Sequence, residues 1–316
     1  MNLLRKSMLM SVITYNLEVS FNLSDKNIKS LHDLDMQLLR GSLLLGAKSS
    51  QSLMLLELGL IPVSFLLKKK KIMYLFHLLN TDESSLVGQV FQKQLQDIKS
   101  IKKGEWINTV LEDLKELNIE LTFSEIATMS KEKFKSLVKK STETAALKSL
   151  VTEVGKRSKG KEIAYECLGM QSYLQSSSGL SLESMRRIYH IRCREIQVKA
   201  NFPSSEEDQS CPFPGCTSPD TQLHLFSSSC FSENNEVTKT NTQYNDIFGL
   251  NIEAQFDVMQ IIFSRLEKRR TFLSFPVEGF PADPRRRLPS SNLGIQKAKI
   301  RSKGKIKRKQ YQRITT

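Results

Sequence analysis

Apolar residues recur at three- and four-residue intervals along most of the chain, and no sustained apolar/polar alternation appears, so the pattern predicts helices and few strands. From Ser24 to Leu60, Leu31, Leu34, Leu38 and Leu39 fall at helical spacing. A second apolar cluster runs from Leu53 to Leu56, and Gly46 to Ser50 reads as the turn between the two. Past Pro62, Val63 to Leu79 sets Phe65, Leu66, Met73, Phe76 and Leu79 around Lys68, Lys69, Lys70 and Lys71, which predicts a buried helix with a basic patch. Amphipathic helices follow at Glu83 to Ile101 (Val87, Val90, Leu95, Ile98) and at Trp106 to Leu117 (Val110, Leu111, Leu114, Leu117). Ser130 is placed to cap a helix reaching about Val154, with Phe134, Leu137, Val138, Leu147, Leu150, Val151 and Val154 available to its inner side and lysines on its outer side. Ser181 is placed to cap another, holding Met185, Ile188, Tyr189, Ile191 and Ile196. Beyond Asn201 prolines break the pattern, and one more helix is expected at Ile252 to Leu273.

Charge changes this picture at one end only. Lys+Arg number 47 against 33 Asp+Glu, a net +14. Twelve of those cations lie between Arg285 and Arg313, where no acid occurs: Arg285, Arg286, Arg287, Lys297, Lys299, Arg301, Lys303, Lys305, Lys307, Arg308, Lys309 and Arg313. A nearly neutral body with a basic tail points to polyanion binding through the tail, or to a nuclear import signal at Lys303 to Lys309. Between Glu57 and Lys68 only ten uncharged residues stand, interrupted by Pro62, so no membrane span is expected. The short apolar run near Met8 lacks a small-residue cleavage pattern, and no signal peptide is expected.

Five cysteines is an odd number, and three of them crowd one Pro/Gly-rich segment. Cys211, Cys216, His224 and Cys230 form a Cys-x4-Cys-x7-His-x5-Cys arrangement. Three thiolates and an imidazole are the donors a tetrahedral structural Zn²⁺ takes, and four protein ligands leave no open position for catalysis. Pro212, Pro214 and Gly215 would turn both thiolates toward one ion, with Leu223 and Leu225 beneath. The competing reading makes the cysteines small hydrophobes and His224 a surface residue. Clustering of this kind suits a reducing, intracellular compartment, nuclear or cytoplasmic, better than a disulfide framework.

Several stretches together resemble the carboxy-terminal region of reverse transcriptases from non-LTR (LINE-like) retrotransposons. They are Leu34-Asp-Met-Gln-Leu-Leu-Arg40, Leu55-Leu-Glu-Leu-Gly-Leu-Ile-Pro62, Lys71-Ile-Met-Tyr-Leu-Phe-His-Leu-Leu79, Lys103-Gly-Glu-Trp106, Met129-Ser-Lys-Glu-Lys-Phe-Lys135, Val198-Lys-Ala-Asn-Phe-Pro203 and Cys211 to Cys230. The resemblance rests on their order and spacing from about Leu34 to Cys230. It implies a thumb and helical connection ending in a Cys/His knuckle, whose acidic-Thr-x-x-His stretch is matched by Asp220-Thr221-Gln222-Leu223-His224. The chain departs from that family in having four residues between the first two cysteines where two are usual, and five after the histidine where four are usual.

A polymerase palm needs paired aspartates to hold two metal ions, and no Asp-Asp pair occurs in the sequence. After Cys230 no acidic residue has a lysine two positions on, the spacing that the family's downstream endonuclease requires. The fold expected is mainly α: a thumb-like helical segment over 1–62, a helical connection over 63–200, a small Cys/His zinc knuckle over 201–232, a linker with one helix over 233–284 and a disordered basic tail over 285–316. The function expected is non-enzymatic binding of RNA or DNA, with no membrane and no small-molecule substrate. An interaction or scaffold protein, or a transposon relic without function, is the alternative. Lys68 to Lys71 either track a phosphate backbone or form a solvated helix face, and Trp106 reads as a core anchor.

Overall fold

Eleven helices, joined by short 3₁₀ turns, make up the secondary structure that the computed structural model describes: α1 Met10–Ile13, α2 Asp25–Leu43, α3 Gln51–Leu58, α4 Val63–Leu79, α5 Leu86–Gln96, α6 Trp106–Glu116, α7 Phe123–Thr128, α8 Lys131–Gly155, α9 Leu182–Arg192, α10 Gln222–Ser227 and α11 Ile252–Ser274. The described residues are 5, 10–19, 23–43, 45, 49–96, 106–156, 163–196, 198–201, 209–227, 230 and 243–274. Among them no strand forms beyond one antiparallel bridge, Ser210 to Pro219. The expected basic tail over 285–316 lies outside the described residues. One unit runs from Met1 to Arg270.

α4 is the central helix, touched by α2, α5, α6, α7 and α8. Its apolar side carries Ile72, Leu75, Phe76 and Leu78 into a core shared with Phe91, Trp106, Ile107, Val110, Leu114, Phe134 and Val138. Phe76 stacks on Phe134 at 4.9 Å, and Trp106 meets Tyr74 edge-on at 5.7 Å, so the lone tryptophan is a core anchor. α8 buries Phe134, Val138, Thr142, Ala146, Leu150 and Val154. This row steps by four residues and winds around the helix, which leaves the expected inner residue Val151 exposed. Ser130 and Ser181 cap α8 and α9, accepting from the amides of Lys133 and Ser184.

Two helices bury faces that only partly follow the leucine and valine rows that define them in sequence. α2 leaves Leu34 and Leu38 exposed and buries Asp35, Met36, Leu39 and Leu43. Arg5 explains the rotation: its guanidinium grips the Asp35 carboxylate with two bonds of 2.7 Å, and both side chains are buried. α5 buries Gly88 and Phe91 while Val87 and Val90 stay about half exposed, because Gly88 lies where a Cβ would come within 2.2 Å of the Asp82 carbonyl oxygen.

A second buried ion pair organises the other half. Glu57 of α3 is fully enclosed. Its carboxylate accepts hydrogen bonds from Tyr165 (2.7 Å), Tyr173 (2.6 Å) and the Arg192 guanidinium (3.0 Å), and Arg192 also donates to the Ile247 carbonyl at 2.6 Å. Burial first, and the Glu57 charge second, push both tyrosine hydroxyls well above their ordinary range, so they remain protonated donors. α3 ends at Gly59 in the left-handed conformation (φ 61°), and the Gln171 amide donates to the Glu57 carbonyl at 3.0 Å. A Cβ on Gly59 would lie 2.2 Å from the Met170 nitrogen. Gly59→Ala is therefore expected to cost at least about 2 kcal/mol, combining left-handed strain with the clash, as a lower urea midpoint at unchanged slope.

No single described helix is long and apolar enough to cross a membrane. α3 and α4 would pass that test only together, across a 59° bend, and their apolar residues belong to the core.

Candidate metal centre

The segment from Gln209 to Asp220 doubles back on itself. The Cys211 amide donates to Ser218 O at 2.8 Å, and the Asp220 amide to Gln209 O at 2.8 Å. Pro212 and Pro214 restrict the intervening turn, and Gly215 takes φ 78°, which favours glycine. Helix α10 starts directly after, capped by Thr221, whose hydroxyl accepts the His224 amide at 2.9 Å. His224 thus stands on the first turn of a short helix, facing the hairpin that carries Cys211 and Cys216.

Cys211, Cys216, His224 and Cys230 come together as sequence spacing predicts: one ligand atom from each lies within 4.8 Å of the others, a set that could hold a metal ion. The His224 Nε2 lies 3.5 Å from Cys216 Sγ and 3.8 Å from Cys230 Sγ. With Zn–S near 2.3 Å and Zn–N near 2.05 Å, a tetrahedral site has N···S edges of roughly 3.6 Å. The donor set and these edges are compatible with Zn²⁺. Burial pushes the Cys211 thiol up to about 11, while the Ser218 amide bonded to Cys216 holds that thiol below its ordinary value. The turn absorbs the two residues by which the Cys211–Cys216 gap exceeds the commoner spacing. Leu225 is buried, and Leu223, also expected beneath the turn, is exposed on the six-residue α10.

The support around this centre is not visible in the cysteine pattern. The Asp220 carboxylate accepts the Lys199 amide at 2.8 Å and two Arg269 bonds at 2.9 and 2.7 Å. Arg265 donates to the carbonyls of Leu225 and Phe226, and Tyr244 to the Gln222 side chain at 2.7 Å. α11 therefore clasps the ligand-bearing hairpin and α10 through two buried arginines. The signal was Arg265 and Arg269, four residues apart on one helix face.

The basic candidates divide. Lys68 and Lys71 pair with Asp113, Lys68 also with Glu116, and Lys70 donates to the Thr14 carbonyl at 2.9 Å. Much of that patch is neutralised by α6, whose Asp113 is raised above the ordinary carboxylate range by burial. Lys69 lines a groove with Lys70, Tyr74 and His77. Lys131, Lys133, Lys135, Lys139 and Lys140 are exposed on α8. Arg285, Arg286, Arg287, Lys303, Lys305, Lys307, Arg308 and Lys309 lie outside the described residues. No family model, no curated protein and no solved structure matches the chain.

Proposed function

We propose that this chain is a non-catalytic nucleic-acid-binding module, built around one structural zinc and derived from the thumb, connection and knuckle of a LINE-like reverse transcriptase. The observation that supports it most is the convergence of Cys211, Cys216, His224 and Cys230, in the order and with the Asp220-Thr221 context that the resemblance implies. Four protein ligands fill a tetrahedral zinc, so the metal holds the fold and performs no chemistry. The absent Asp-Asp pair removes the polymerase, and an intracellular location, nuclear or cytoplasmic, belongs to the same proposal.

Affinity for RNA or DNA comes mainly from charge, because the tail holds twelve cations and no acid. Each neutralised phosphate releases counterions, giving a log-log salt slope of about −0.9 per contact on duplex DNA. Deleting the residues after Pro284 should flatten this slope and weaken binding by roughly tenfold or more at low salt. Equal affinity and slope for both proteins, read by fluorescence anisotropy, would remove the tail as the binding element and favour its reading as an import signal. The rival, an interaction or scaffold protein, draws on the apolar groove where exposed Leu86, Val87 and Val90 flank Trp106.

A further inference from the structure

Between α9 and α11 lies a pocket of about 240 Å³, separate from the cysteine cluster, lined by Arg186, Arg187, His190 and Arg270 over an apolar floor that includes Phe263 and Leu266. A guanidinium carries five N–H donors. Arg186 spends two of its groups on the Ser42 carbonyl (3.3 and 2.9 Å), which fixes the head without neutralising it. Arg187 lies 4.8 Å from the centre of the Phe263 ring and gives one bond, of 2.9 Å, to Glu183. Arg270 is exposed and has no ion pair among the described residues. Two acids also line the pocket: Glu183, paired with Arg187, and Glu195, which accepts from the Ser49 hydroxyl at 3.2 Å and keeps its charge, so the three guanidinium groups outnumber the carboxylates by one.

We infer that this pocket binds a phosphate group of a nucleic-acid strand, with Arg186, Arg187 and Arg270 as its donors and His190 at its side. The inference rests on the nucleic-acid reading above and adds a specific site to it. Guanidinium forks suit phosphate because they offer parallel N–H donors, and two of these are held in place before the ligand arrives. Burial, the largest influence, keeps His190 below its usual range, so the ring contributes a neutral imidazole rather than a further charge.

The test uses the full-length protein, a twelve-residue oligothymidylate and inorganic phosphate. Arg270→Glu alters an exposed side chain and should leave the thermal midpoint unchanged. Arg187→Gln/Arg270→Gln removes two donors and keeps the Arg186 anchor. Either variant should bind the oligomer about three- to tenfold more weakly, and the double variant should lose about 0.7 from the salt slope, the contribution of one single-strand phosphate contact. The oligomer should also shift the His190 ring signals in the NMR spectrum of the full-length protein. Full-length protein that binds the oligomer, with unchanged affinity and slope in both variants, overturns the pocket and leaves the functional reading standing. Failure of the full-length protein to bind any oligomer overturns both. A His190 shift with inorganic phosphate but none with the oligomer assigns the pocket to free phosphate and overturns the strand.

Discussion

Arg192→Met is expected to lower the unfolding free energy by about 3–5 kcal/mol, the usual cost of breaking a fully buried ion pair from one side. Glu57 would keep its two tyrosine donors but lose the cation facing it, in a site with almost no solvent exposure. The Ile247 carbonyl would lose its 2.6 Å donor as well. Removing both charges, as Glu57→Met/Arg192→Met, relieves the uncompensated carboxylate. It strands the hydroxyls of Tyr165 and Tyr173, each worth about 1–3 kcal/mol when left buried without an acceptor. Partial rather than full recovery is therefore expected in the double variant. Urea denaturation of the three proteins measures this, and a loss below about 1 kcal/mol for Arg192→Met would show that Glu57 does not depend on its partner.

Zinc removal should have the next largest effect. The purified protein is expected to carry one zinc per chain; Cys216→Ser and Cys230→Ser should lose it, and Cys167→Ser, altering an exposed cysteine far from the cluster in sequence, should keep it. Isolated zinc fingers draw about 10–16 kcal/mol of folding free energy from their metal. The loss here should be smaller, on the order of several kcal/mol, because Arg265, Arg269 and Tyr244 hold the hairpin and α10 independently of the ion. Metal analysis together with thermal unfolding in chelator checks both parts. Equal zinc in the Cys230→Ser and unaltered proteins would end the assignment.

Local chemistry was legible in the sequence where it was self-contained. The caps at Ser130 and Ser181 and the span of α11 need only neighbouring residues, and the four metal-ligand positions lie within twenty residues. Helix faces were less legible. In α2 the leucines mark one side, yet Asp35 is drawn inward by a partner 30 residues away. Periodicity registers apolar residues and is blind to a charge that buries itself by pairing. Glu57 in the run Leu55-Leu-Glu-Leu58 was the visible anomaly, but nothing local names Arg192, 135 positions later, as its partner. The neutralisation of Lys68 and Lys71 was hidden for the same reason, since Asp113 and Glu116 reach them only once α4 and α6 pack.

The Glu57 cluster also sets an order of events during synthesis. Its partners leave the ribosome one after another, at Tyr165, Tyr173 and Arg192, and the Ile247 carbonyl closes the set. At roughly 5–20 residues per second, Arg192, the cation that pairs with Glu57, follows it by about 7–27 s. Helices α4 to α8 meet within a continuous stretch and can settle while the remainder is still being made. For that interval α3 carries a carboxylate with no cation to meet it among five apolar side chains, Leu53 to Leu56 and Leu58, an exposed apolar segment of the kind that chaperones hold.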